Sequence, residues 1–108
     1  DGAFGMSGTD VETAARVGAP ITTVLLNNGG MATYPGGFPT ARERYGVSSM
    51  QGNYSQIAEG MGAEGIRVET PPEMKQALKD AFRLNADGKT VLIDVRSDME
   101  GRRSRWDR

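Results

Sequence analysis

Two short stretches hold the residues most able to do chemistry. The chain opens Asp1-Gly2-Ala3-Phe4-Gly5, and further on it reads Asn27-Asn28-Gly29-Gly30. Asp1 offers a carboxylate, Asn28 an amide oxygen, and Gly30 a backbone carbonyl. These are hard oxygen donors. Mg²⁺ takes about six oxygens near 2.1 Å and draws only a few from protein, so two phosphate oxygens and a water would complete the shell. A diphosphate also needs room for close backbone approach, which the small residues Gly2 and Ala3 allow, and a helix start nearby. Alone, Asp-Gly is a common turn and Asn-Asn-Gly is a hairpin signal. Their meaning depends on what lies between them.

Thr9-Asp10-Val11-Glu12 has the form of a capping box and predicts a helix over residues 9–17. Pro20 then opens Ile21–Leu26, a β-branched apolar run of the kind buried on both faces of a parallel sheet. One helix and one strand therefore separate the two turns, and both turns fall where strands end. Ligands of open α/β sheets sit beyond those carboxyl ends. A turn such as Asp1-Gly2 normally follows a strand, so the expectation is that the chain begins inside a domain.

The later chain repeats the alternation. Residues 31–52 read as a long loop broken by Pro35, Gly36, Gly37 and Pro39, with a short helix near Arg42–Tyr45. Asn53 with Gln56 predicts a helix near 54–62, and Gly65–Glu69 a short strand. Thr70-Pro71-Pro72-Glu73 starts a helix near 72–85, with Met74, Ala77, Leu78, Ala81 and Phe82 at core spacing. Asp87-Gly88 turns into the buried strand Thr90–Val95. The fold expected is α/β: a three-layer sandwich, with a parallel sheet and helices on both faces. Residues 1–98 form one incomplete ligand-binding domain, and 99–108 a basic tail.

Composition narrows the function. There is no Cys and no His, so neither a disulfide framework nor the commonest general base is available. A net charge of −1 argues against a nucleic-acid surface. No apolar run approaches the roughly 20 residues that span a bilayer, and a soluble cytoplasmic protein is expected. The apolar fraction of 37% is on the low side for a self-sufficient domain.

An Asp-Gly turn followed after about 27 residues by Asn-Asn-x-Gly resembles the cofactor signature of thiamine-diphosphate-dependent enzymes. The family motif opens Gly-Asp-Gly, and its first Gly has no counterpart here. The resemblance to the family's diphosphate-binding domain runs from Asp1 to about Asp98. Over about residues 3–30, Ala3–Gly8, Asp10–Thr13, Arg16 and Asn27–Gly30 resemble the oxalyl-CoA decarboxylase and 2-hydroxyacyl-CoA lyase branch. That branch tends to place an aromatic where Ala32 stands, so acetolactate-synthase-like enzymes remain an alternative.

The resemblance implies thiamine diphosphate and Mg²⁺ as cofactors. Asp1, Asn28 and the Gly30 carbonyl would be the metal ligands, and Gly2, Ala3 and Met31 would join them in holding the cofactor. It implies a reaction in which a carbon–carbon bond breaks or forms beside the carbonyl of a 2-keto acid or an acyl-CoA. It also implies a homodimer or homotetramer, and a separate pyrimidine-binding domain whose Glu activates the cofactor. Tyr34, just past the metal site, is the one candidate here to approach the reacting carbon. Arg42, Arg44 and the run Arg102, Arg103, Arg105 and Arg108 are candidates for an anionic substrate, with a solvated surface as the plainer reading. Asp10 and Glu12 suit a helix N-terminus better than catalysis. The Gly2, Gly5, Gly8 spacing does not match a dinucleotide loop. A second class stays open: a small α/β binding or regulatory domain that uses no thiamine.

Overall fold

The computed structural model describes residues 1–30, 39–47 and 49–98. Met31, Ala32, Tyr34 and the tail arginines lie outside the described residues. The elements run α1 (Phe4–Ser7), α2 (Asp10–Arg16), β1 (Thr22–Asn27), α3 (Pro39–Tyr45), α4 (Tyr54–Gly60), β2 (Glu64–Val68), α5 (Pro71–Ala86) and β3 (Val91–Arg96).

The three strands form one parallel sheet in the order β1-β3-β2. Successive side chains of a strand face opposite ways, and β3 shows the result. Leu92 packs with Val11 of α2, Leu25 of β1, and Tyr54 and Ala58 of α4. Val91 and Ile93 turn to the other face and pack with Val68 of β2 and Ala77 and Ala81 of α5. Helices thus cover both faces, as the alternating pattern predicts. Burial of a side chain the size of Leu92 or Ile93 contributes roughly 1.5–3 kcal/mol.

Several expectations need correction. The Gly-rich opening is not an open turn: Phe4–Ser7 is already helical and runs into α2. Thr9 therefore has helical dihedrals and makes no side-chain cap, because carbonyls of the preceding turn already accept the first amides of α2. Glu12 pairs instead with Arg16 at 3.0 Å. β1 is buried on one face only, with Val24 and Leu26 exposed on the other, since α5 sits mainly over β2 and β3. For the same reason Leu78 and Phe82 are exposed rather than core. The short helix expected near Arg42–Tyr45 starts earlier, at Pro39.

Candidate metal and diphosphate site

β1 ends at Asn27, and the chain reverses through Asn28-Gly29-Gly30. Two side chains shape the reversal. Asn27 Oδ1 accepts from the Gly29 amide at 3.2 Å, and Asn28 Oδ1 accepts from the Gly30 amide at 3.0 Å. Short amide side chains commonly hold the backbone two residues on in this way. Gly29 sits at φ 68°, a left-handed conformation that costs glycine little. Gly30 then forms an antiparallel bridge with Ser49, in which the Met50 amide donates to the Gly29 carbonyl at 3.0 Å. The Gly30 carbonyl takes no part in that bond. An amide oxygen has two lone pairs, so Asn28 Oδ1 retains acceptor capacity beyond its own turn.

Asp1 stands beside the same strand end. Its nitrogen donates to the Leu26 carbonyl at 2.8 Å. The two turns that the sequence separates by a helix and a strand are therefore neighbours. Asp1 Oδ1 accepts from the Gly2 amide at 3.2 Å. Asp1 Oδ2 is buried and finds no hydrogen-bond partner among the described residues. A buried carboxylate oxygen without a partner is costly, and a cation would satisfy it. Oxygen donors only, and few of them, suit Mg²⁺ in particular. Among the described residues no three His, Cys, Asp or Glu side chains come together as an all-protein metal cage.

The helix start adjoining Asp1 is α1 rather than α2. The Phe4 and Gly5 amides both donate to the Asp1 carbonyl, at 3.0 and 3.4 Å. Ala3 is exposed and Gly2 half-buried, so the backbone there is approachable. Phe4 packs edge-to-face on Tyr54, with ring centroids 5.4 Å apart, and this fixes α1 against the start of α4. Arg42 and Arg44 are exposed on α3.

The sequence reading missed the layer beneath this site. Asp94 of β3 is fully buried, and its Oδ1 accepts from Asn27 Nδ2 at 2.9 Å. Its Oδ2 accepts from the Tyr54 amide at 3.2 Å. The available signal was a lone carboxylate inside the apolar run Val91–Val95.

A parallel sheet carrying oxygen donors and glycine turns at the carboxyl end of a strand defines an α/β ligand-binding domain. Residues 1–95 match the family described as thiamine pyrophosphate enzyme, C-terminal TPP binding domain, and the chain belongs to that family. It is 37% identical over 101 residues to a Mycobacterium tuberculosis protein provisionally named an acetolactate synthase large subunit, covering 93% of this chain and 18% of that protein. It is 35% identical over 102 residues to an acetolactate synthase of Bacillus subtilis, covering 91% of this chain and 17% of that protein. Against a 2-hydroxyacyl-CoA lyase of Oryza sativa subsp. japonica it is 32% identical over 104 residues, covering 88% of this chain and 17% of that protein. The chain thus spans under a fifth of the length of these relatives.

Proposed function

We propose that this domain anchors the diphosphate of thiamine diphosphate through Mg²⁺ held by Asp1, Asn28 and the Gly30 carbonyl. The observation that carries the reading is Asp1 Oδ2, buried beside the end of β1 and without a hydrogen-bond partner among the described residues. Asp1 would bring the negative charge that a divalent cation requires. Asn28 would add a neutral oxygen already oriented by its bond to Gly30. Gly2, Ala3 and Met31 would line the approach of the cofactor. When bound, thiamine diphosphate supplies an electron sink for breaking or forming a carbon–carbon bond beside a carbonyl. The residues named here would bind and orient that group.

The parent enzyme we propose is a lyase, decarboxylase or carboligase. Its small-molecule substrate would be a 2-keto acid or an acyl-CoA. Its partner would be a pyrimidine-binding domain of the same or a neighbouring subunit, within a homodimer or homotetramer. Relatives named acetolactate synthase and 2-hydroxyacyl-CoA lyase support both branches of that chemistry. Membership in a thiamine pyrophosphate family favours this reading over a thiamine-free regulatory domain.

Calorimetric titration of the protein carrying this sequence tests the metal assignment. The wild type should bind thiamine diphosphate only when Mg²⁺ is present. Asp1→Ala and Asn28→Ala should each weaken binding by more than about tenfold, equivalent to about 1.4 kcal/mol. Unchanged affinity in either variant would contradict the assignment.

A further inference from the structure

Asp94 is an unusual residue for its place. It is fully buried on the central strand, facing the same side as Leu92 and Leu25. A buried carboxylate costs several kcal/mol unless it is paired or well bonded. No Lys or Arg bridges it among the described residues, where the ion pairs are Arg16–Glu12, Arg67–Glu69 and Arg83–Asp80. A leucine would fill the position at lower cost. What a leucine lacks is two acceptor oxygens.

Both oxygens are used, each on a different segment. Oδ1 accepts from Asn27 Nδ2, whose own Oδ1 accepts from the Gly29 amide. Oδ2 accepts from the Tyr54 amide at the start of α4. The Ser97 amide closes a further bond from the end of β3 to the Asn27 carbonyl at 3.0 Å. Asn28 lies between Asn27 and Gly29, so its backbone is held on both sides by bonds that trace back to one carboxylate. An asparagine at position 94 would turn a donor toward one of two N–H groups and lose that bond.

We infer that Asp94 is a positioning residue for the metal site: acting through Asn27, its carboxylate fixes the turn that presents Asn28 to Mg²⁺. This rests on the proposed metal role of Asn28. Groups that orient metal ligands from behind typically govern about 10–100-fold in metal affinity.

The test is Mg²⁺ titration at saturating thiamine diphosphate on the whole protein, comparing Asp94→Asn, Asn27→Ala and Asn28→Ala. The control is Leu92→Val or Leu92→Ala, chosen to match the loss of unfolding temperature in Asp94→Asn. Leu92 shares the strand and the face but makes no bond to the turn. Asp94→Asn and Asn27→Ala should bind Mg²⁺ at least about tenfold more weakly than the matched control, which should bind like the wild type. A folded Asp94→Asn that binds like the control overturns the inference. If Asp94→Asn does not fold, Asn27→Ala decides, and normal affinity there overturns it. Loss of Mg²⁺ binding in Asn28→Ala alone defeats the inference and spares the metal site. A wild type that binds the cofactor without Mg²⁺ defeats both.

Discussion

Gly65 of β2 lies directly beneath the start of α4. A methyl group built there would collide with the Ser55 carbonyl, oxygen and carbon alike. Both neighbours are backbone within packed elements, so neither can swing aside. Overpacking of this kind costs about 1–3 kcal/mol, and Gly65→Ala should lose that much. Urea denaturation would show it as a lower midpoint with an unchanged slope; a midpoint equal to the wild type would mean that α4 can lift away freely. At this scale the sequence was legible where one residue type carries its chemistry alone. Asp1 and Asn28 carry the proposed metal role because they are oxygen donors next to glycines, Asn28 just past the end of β1. Asp94 was not legible in this way, because its bond to Asn27 spans 67 positions and nothing local announces it. Gly65 read as an ordinary strand residue for the same reason: the obstacle is the Ser55 backbone, brought there by folding.

Among the elements, α5 carries the clearest start signal. The Glu73 carboxylate turns back to accept from the Glu69 and Thr70 amides at 2.7 and 3.1 Å. Those bonds favour the charged form and hold Glu73 below its ordinary carboxylate range, the Glu69 bond contributing most. A carboxylate whose pKa is lowered by folding adds stability above its unfolded value, near 4.5, and loses it as pH falls through the folded value. Wild type and Glu73→Gln should therefore differ most near neutrality and converge as the solution is acidified below about 4.5. Thermal unfolding of both proteins across that range would check it, and a constant gap would show that the carboxylate's charge is not what matters. Thr9 and Glu12 share the same spacing yet form no box. A helical turn, Phe4–Ser7, already precedes them in a Gly-rich stretch that carries no helix start signal. Strands were easier to see than their surroundings. The run Ile21–Leu26 marked β1 without revealing that one of its faces would stay uncovered.

At the scale of the whole molecule, β3 is the central strand of the sheet among the described residues, with β1 and β2 on either side of it. Among the described residues, β1 exposes Val24 and Leu26 on the face that α5 leaves open, with Leu78 and Phe82 exposed on α5. The candidate site lies beside the end of β1, where the Asp1 nitrogen donates to the Leu26 carbonyl. The parallel topology could be read from alternating elements, because each has its own period and punctuation. Which strands lie side by side could not, since β3 enters between β1 and β2 from the end of the chain. Asp1 and Asn28 are proposed to share one ion that carries the cofactor's diphosphate. A crystal structure of the protein grown with Mg²⁺ and thiamine diphosphate tests this most directly. The expected result is one octahedral ion, with an Asp1 carboxylate oxygen and Asn28 Oδ1 each at about 2.1 Å and two phosphate oxygens in the same shell. Thiamine diphosphate bound with its metal held by other residues, or with Asp1 Oδ2 still unpartnered, would contradict it.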